Sequence, residues 1–253
     1  MEMHKNLFKA ALKSGTQQLG MWNTIPGLAV PEMLAGAGFD WVLIDTEHTP
    51  VDMAEIVTAL QAIGQYPNVS ALVRPVANDP VVIKRLLDVG AQTLLVPMVD
   101  TPEQAAAAVA ATRYPPEGVR GMGLTTRAAG FGRVANYVQA AATEICVIVQ
   151  VESVTALNNL DAIAATPGVD AVFIGPSDLS ASMGHPGNPG HPDVQATIDT
   201  AFARLHAMGV PTGIISLDPE AAKRYLAAGV GFVAVGIDLA VLRQNIDALR
   251  AQF

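Results

Sequence analysis

Apolar runs recur along the chain, each a few residues after a glycine. The pattern of glycine, two or three mixed residues and three or four apolar residues begins at Gly38, Gly90, Gly168 and Gly229. Each glycine follows a segment with helical spacing and suits the left-handed position just past a helix end. The apolar runs are continuous, which is typical of strands buried on both faces of a parallel sheet. The pattern therefore predicts helices that alternate with parallel strands.

Four weaker strand candidates lie between these copies, at residues 19–22, 71–74, 145–151 and 212–215. Together with the four strands that follow the glycines, they make eight. Eight strands in 253 residues match a (β/α)8 barrel, which typically has about 250 residues. We therefore predict an α/β fold in which residues 1–253 form a single (β/α)8 domain, preceded by a short N-terminal helix.

The segments between the strands have the spacing of helices. Several begin with proline or an acidic residue, both of which favour the first turn of a helix. Two long loops interrupt the alternation, at residues 114–137 and 175–192, and loops of this length tend to be functional. The predicted helices cover residues 53–63, 81–89, 102–112, 154–164, 194–208, 219–228 and 239–252.

Composition narrows the classes of function. The chain is 51% apolar, which provides a large core, and its net charge of −8 argues against nucleic acid as a partner. No secretion signal is visible, and no run approaches the roughly 20 apolar residues of a membrane span. The single cysteine, Cys146, cannot form an internal disulfide, so we expect a cytoplasmic protein.

Ionisable and amide side chains follow the predicted strands where each strand ends. One run of four apolar residues, 41–44, leads directly into a cluster of charged groups. In a barrel the carboxyl ends of all strands meet at one face, so side chains far apart in sequence can share one pocket. The residues at these ends are Asn23, Asp45, Glu47, His48, Arg74, Gln150, Glu152, Ser177, Asp178 and Asp238.

Glu152 and Asp178 follow neighbouring strands and are candidate ligands of a hard divalent cation. Two carboxylates with positions left for substrate and water are the usual way that enzymes hold Mg2+ or Mn2+. Either acid could instead cap a helix or remain a surface charge. His185 and His191 lie in a loop rich in glycine and proline, and we interpret them as surface residues.

His48 and Arg74 are candidates for catalysis. A histidine can accept a proton near neutral pH if a carboxylate orients it, although a single loop histidine is often only solvent-exposed. Arg74 ends a buried run and must find an anion, either a fixed partner such as Asp45 or an oxyanion that develops on the substrate.

All five lysines fall in helical segments, so no lysine is placed to form a Schiff base inside the barrel. Glycine-rich fingerprints of nucleotide cofactors are also missing. These observations favour chemistry that depends on a cation rather than on a covalent lysine intermediate. The lysines are Lys5, Lys9, Lys13, Lys84 and Lys223.

Several of these motifs together resemble one known family. Asp45-Thr46-Glu47-His48, Val73-Arg74-Pro75, Gln150-Val151-Glu152 and Gly175-Pro176-Ser177-Asp178, in this order, are similar to the class II, metal-dependent pyruvate aldolases of the 4-hydroxy-2-oxoheptane-1,7-dioate aldolase type. The resemblance implies aldol cleavage and addition of 4-hydroxy-2-oxo acids, which gives an aldehyde and pyruvate or a related 2-oxo acid such as hydroxypyruvate. It also implies a divalent cation (Mg2+, Mn2+ or Co2+) and a homo-hexamer, a trimer of dimers that exchange helices.

The resemblance further implies roles for individual residues. Asp88 matches an acid that raises the basicity of the histidine. Because Asp88 ends a predicted helix on the far side of the barrel from His48, it would have to act from a neighbouring subunit. Asp45 is the alternative partner of His48. The implied metal ligands are Glu152 and Asp178, the general base is His48, the oxyanion donor is Arg74, and the substrate-binding residues are Gln150, Ser177 and Asp178.

Two other kinds of function remain open at the level of sequence. The same constellation could support oxaloacetate decarboxylation or cleavage of a malyl thioester, although a thioester coenzyme favours a basic groove that the acidic composition does not suggest. A ring-shaped oligomer could also bind a small acid without catalysis. Such a binder needs no base beside the metal, so His48 is the residue that distinguishes it from an enzyme.

Overall fold

The computed structural model describes residues 1–253 and contains a closed barrel of eight parallel strands. Each strand pairs with the next, and β8 pairs with β1 to close the barrel. The predicted (β/α)8 fold is therefore confirmed. The strands are β1 Gln18–Asn23, β2 Trp41–Asp45, β3 Ser70–Arg74, β4 Thr93–Val96, β5 Cys146–Val151, β6 Ala171–Ile174, β7 Thr212–Ile215 and β8 Phe232–Ile237.

Twelve helices surround the strands. None of them combines the length and the apolar character that a membrane crossing requires. The helices are α1 Leu7–Ser14, α2 Ala29–Gly36, α3 Met53–Ile63, α4 Pro80–Asp88, α5 Pro102–Ala111, α6 Tyr137–Glu144, α7 Val154–Asn158, α8 Leu160–Ala164, α9 Pro176–Ser182, α10 Pro192–Ala207, α11 Pro219–Ala227 and α12 Asp238–Arg250.

The sequence prediction missed α2, α6 and α9. The first two lack the side-chain cap that marks a helix start, and Asn136, which precedes α6, has a left-handed backbone with φ of 57°. Helix α9 is short and begins inside the glycine- and proline-rich segment that we predicted to be a loop. The helix predicted over residues 154–164 is two short helices, because Asn159 leaves helical geometry between them.

Side chains along each strand point alternately into the barrel and away from it, as strand geometry requires. Side chains two residues apart on a strand share a face, and on β2 the inward positions are Trp41, Leu43 and then Asp45. On β3 Leu72 is followed by Arg74 in the same manner. The interior is therefore apolar along most of its length and polar at the carboxyl ends.

Helix α1 covers the amino-terminal end of the barrel. Phe8 is fully buried and packs edge to face on Trp41 and Phe232, the first residues of their strands, with ring centroids 6.1 and 5.2 Å apart. Nearby, Asn6 donates a hydrogen bond to Thr93 and Lys9 forms an ion pair with Asp170. With this end covered, the carboxyl end is the open face of the barrel.

Gly20 is required by the packing of Trp41. A Cβ atom at position 20 would lie 2.1 Å from carbons of the buried indole. We expect Gly20→Ala to lower the free energy of unfolding by about 1–3 kcal/mol, the usual cost of overpacking a core. Urea denaturation measures this change. Gly231→Ala is the matched control, because its Cβ would meet only backbone atoms of Thr212, at 3.4 and 3.9 Å; equal effects of the two substitutions would contradict the packing argument.

Candidate active site

A buried ion pair joins the inward ends of β2 and β3. Asp45 and Arg74 are register partners on neighbouring strands, so their side chains lie on the same face of the sheet. The guanidinium donates from Nε to Asp45 Oδ1 at 2.8 Å and from Nη2 to Oδ2 at 2.7 Å. Such a two-point contact fixes the plane of the guanidinium as well as its position. The guanidinium of Arg74 also lies over the Trp22 ring, 5.3 Å from the ring centroid.

Glu47 completes the surroundings of Arg74 and connects them to His48. Arg74 Nη1 lies 2.8 Å from Glu47 Oε2, and the same oxygen lies 3.7 Å from His48 Nε2. The imidazole of His48 is 66% exposed, so it faces the open end of the barrel. Within one chain the acid beside His48 is therefore Glu47, whereas Asp45 is engaged by Arg74.

Glu152 follows β5 and is buried. Its Oε1 accepts a hydrogen bond of 2.8 Å from the backbone N–H of Met98, and Oε2 accepts one from Gln150 Nε2. Met98 has a left-handed backbone with φ of 53°, which is uncommon for a residue other than glycine and is often found at functional sites. The remaining oxygen of Gln150, Oε1, is buried without a hydrogen-bond partner.

Gly175 leaves room for these side chains. A Cβ atom there would lie 2.5 Å from Glu152 Oε2 and 2.9 Å from Gln150 Nε2. Gly175 lies between β6 and α9, and the first turn of α9 carries Ser177 and Asp178, both exposed. The negative charge of Asp178 acts on Glu152 and raises its pKa.

The electrostatics of the site follow from burial and like charge. The pKa of Glu152 is raised to about 7, chiefly by burial and in part by the charges of Asp178 and Glu47, while the hydrogen bonds from Met98 and Gln150 oppose the rise. The pKa of Glu47 is also raised, chiefly by burial and against the attraction of Arg74. Burial alone would lower the pKa of Arg74, but its hydrogen bonds and ion pairs raise it, so Arg74 remains a cation.

Some residues predicted at the strand ends have other partners. Asp88 ends α4 and accepts a 2.8 Å hydrogen bond from the buried Arg120, so within one chain it does not reach His48. Asp238 accepts hydrogen bonds from Asn23, from Thr24 and from the backbone N–H of Ile25, and thereby ties the end of β1 to the start of α12.

The structure places the predicted residues Arg74, His48, Gln150, Glu152 and Asp178 at the carboxyl ends of the strands, and three further residues contact them or lie beside them. Glu47 lies between Arg74 and His48, and the backbone N–H of Met98 donates a hydrogen bond to Glu152. Gly175 leaves space for the side chains of Glu152 and Gln150. For Glu47 the available signal was its place in the charged cluster after β2. For Met98 no such signal exists, because its contribution is a backbone N–H.

Carboxylates, an arginine and a histidine lie at the open face of this barrel, as is typical of (β/α)8 enzymes. A family model described as HpcH/HpaI aldolase/citrate lyase matches residues 18–245. A pyruvate aldolase of Rhizobium etli is 53% identical over 253 residues, which is 100% of this chain and 99% of the relative. A 4-hydroxy-2-oxo-heptane-1,7-dioate aldolase of Salmonella heidelberg is 51% identical over 250 residues, 98% of this chain and 95% of the relative.

Solved structures agree with these relatives. The crystal structure of an HpcH/HpaI aldolase/citrate lyase family protein from Burkholderia cenocepacia superimposes with a TM-score of 0.93 at 40% identity, covering 98% of this chain and 99% of that one. The chain therefore belongs to the HpcH/HpaI aldolase/citrate lyase family. It is a carbon–carbon lyase with aldolase activity, and the resemblance seen in its motifs is confirmed.

The raised pKa of Glu152 predicts how stability depends on pH when divalent cations are removed with EDTA. A folded carboxyl with a pKa of about 7 binds its proton more tightly than the same group unfolded, with its ordinary value of 4.5. Its stabilising contribution is complete below pH 4.5 and is lost as the pH rises through about 7. We expect a loss of about 1–3 kcal/mol from this group between roughly pH 5 and 8, measured by urea denaturation. Glu152→Gln does not titrate, so parallel curves for it and the wild type would contradict the prediction.

Proposed function

We propose that this aldolase cleaves 4-hydroxy-2-oxo acids into an aldehyde and pyruvate or hydroxypyruvate, and catalyses the reverse addition, with a divalent cation bound by Glu152 and Asp178. The observation that carries the proposal is the buried carboxylate of Glu152, with its pKa raised to about 7, on the same open face as Asp178, Arg74 and His48. The names of the relatives support the choice of 2-oxo acid.

The residues at the site fit a divalent cation. A carboxylate oxygen accepts up to two hydrogen bonds, so each oxygen of Glu152 retains a free lone pair beside the contacts from Met98 and Gln150. The gap that Gly175 leaves and the unpartnered Oε1 of Gln150 lie beside these oxygens. Mg2+, Mn2+ and Co2+ are the candidates, since all accept carboxylate oxygens. Such an ion, when bound, supplies Lewis-acid polarisation of the 2-oxo group.

Arg74 is suited to bind an oxyanion. A guanidinium has five N–H donors; hydrogen bonds to Asp45 engage two of them, and Nη1 also forms an ion pair with Glu47. Donors therefore remain for oxygens of the substrate. Because Asp45 and Glu47 hold the group in one orientation, these donors need no reorganisation when negative charge develops on the substrate.

His48 is the proposed base. In the cleavage direction the proton of the 4-hydroxyl passes to the imidazole, directly or through water; the C3–C4 bond then breaks, and the aldehyde and the enolate of the 2-oxo acid form. The imidazole returns the proton to C3. The acid nearest the imidazole is Glu47, whose Oε2 lies 3.7 Å from His48 Nε2. Gln150, Ser177 and Asp178 are proposed to position the 2-oxo acid.

Oligomer formation is supported by α12. Its outward residues form an exposed apolar stripe at helical spacing, and only Asp238 of this helix is buried. We infer that the stripe packs on a second copy of the chain, in helix-exchanging dimers that assemble into a hexamer. Asp88 of one subunit would then lie beside His48 of another. The stripe consists of Leu239, Leu242, Ile246 and Leu249.

Exchange of the pyruvate methyl protons for deuterium tests the base and the cation together. We expect exchange with Mg2+ or Mn2+, none after EDTA, and a rate lower by about 10²–10⁴-fold in His48→Ala, because the proton has lost its acceptor. Proton NMR follows the methyl signal. His4→Ala, at an exposed histidine elsewhere, is the control. Exchange that persists in EDTA, or that is normal in His48→Ala, would exclude the proposed chemistry.

A mixture of two inactive variants tests the role of Asp88. If Asp88 acts on the His48 of a neighbouring subunit, Asp88→Asn and His48→Ala chains that assemble together regain intact sites. Random assembly of equal amounts makes about a quarter of the sites intact, so we expect activity near that fraction of wild type. The activity is compared with that of the two variants purified separately and mixed without reassembly. No recovery beyond the sum of the parents would show that Asp88 acts within its own chain or not at all.

A further inference from the structure

Two histidines and an aspartate form a second cluster of potential metal ligands, separate from the active site. The rings of His185 and His191 stack with centroids 3.6 Å apart and planes at 14°. Asp193 Oδ2 lies 3.8 Å from His185 Nε2 and 3.7 Å from His191 Nδ1. The three ligand atoms lie within 4.8 Å of one another, and no other three His, Cys, Asp or Glu side chains in the chain meet this criterion. The sequence had suggested only surface histidines here.

The loop between α9 and α10 holds the two rings in place. Its backbone N–H groups donate from His185 to Ser180 at 2.8 Å, from Asn188 to His185 at 3.1 Å and from His191 to Asn188 at 3.1 Å. Proline at positions 186, 189 and 192 further restricts the loop. The side chains of His185 and His191 are 29% and 30% exposed, so the cluster is ordered yet open to an ion from solvent.

Helix capping explains only part of this arrangement. His191 precedes α10, and its Nδ1 accepts a hydrogen bond of 3.2 Å from the backbone N–H of Asp193. Capping requires neither the ring of His185 stacked on His191 nor the carboxylate of Asp193 beside both rings. A cation that takes the Nδ1 lone pair would displace this one hydrogen bond and form several coordination bonds in its place.

We propose that His185, His191 and Asp193 bind a divalent transition-metal ion of the Zn2+ class. Imidazole nitrogen with one carboxylate oxygen is a ligand set that suits Zn2+, Ni2+ and Cu2+ better than Mg2+, and three protein ligands leave room for water. Metal–ligand bonds of about 2.0–2.2 Å require these atoms to approach one another, which rotation of the side chains permits, since Asp193 is 72% exposed. The active-site carboxylates form a harder site, so the two sites differ in ion preference.

A bound ion would join α9 to the start of α10. Helix α9 begins beside Gly175, so the loop that the ion fastens is continuous with one wall of the active site. The expected consequence is structural: an ion here links two helices and stabilises the folded chain, since it binds a site that the unfolded chain lacks.

Zinc titration of a variant without the active-site carboxylates tests this site alone. Tag-free Glu152→Gln, Asp178→Asn protein is titrated with Zn2+ by calorimetry, and Co2+ is added separately to record its visible absorption. We expect one equivalent of Zn2+ per chain, nitrogen-ligated Co2+ bands and a higher midpoint of thermal unfolding. Adding His185→Phe preserves an aromatic ring on His191 but removes a ligand, and it should weaken binding by about tenfold or more.

His4→Ala in the same background is the matched control and should bind as before. The midpoint of thermal unfolding without metal shows whether His185→Phe folds. No binding in the carboxylate-free protein, or binding that His185→Phe leaves unchanged, would overturn the proposal, the second outcome indicating an adventitious surface ion. Because the active-site carboxylates are already replaced, these results do not depend on whether the proposed aldol chemistry is correct.

Discussion

The pairing of Asp45 with Arg74 is the interaction on which the site depends. Both groups are buried at the inward ends of neighbouring strands, where removing a charge from water is costly unless another charge and good hydrogen bonds compensate. The two-point contact, with Glu47 on the remaining side, provides that compensation. As a result the guanidinium is held in one orientation, over the Trp22 ring.

The barrel interior determines the chemistry of Glu152. The strands below it are lined with aromatic and aliphatic side chains, so the carboxylate is poorly hydrated and its pKa is raised to about 7. Asp178 and Glu47 add like charge. A group of acids in such surroundings is stabilised by protons or by a cation, because either one offsets the like charges.

Two features of this chain lie away from the pairing of Asp45 with Arg74. The family relationship accounts for the barrel, whose open face carries that pair. The apolar stripe on α12 and the histidine cluster between α9 and α10 lie outside that face. Both concern how the barrel is held together or joined to other copies, and neither alters the groups that contact Arg74.

The sequence by itself determined the order of strands and helices, because continuous apolar runs and helix-ending glycines are local signals. It also predicted that Arg74, His48, Gln150, Glu152 and Asp178 share one face, since polar residues after buried strands meet at one face of a barrel. It missed α2 and α6, which lack side-chain caps at their starts, and the short helix α9.

Only the tertiary structure decided which charges pair. Asp45 and Glu47 are two residues apart and appear equivalent in sequence, yet strand register places Asp45 against Arg74 and leaves Glu47 to reach His48. The N–H of Met98, the space beside Gly175 and the stacking of His185 on His191 likewise arise from the approach of distant backbone segments. The physical reason is common to all of them: local patterns specify elements, whereas register and close packing specify contacts.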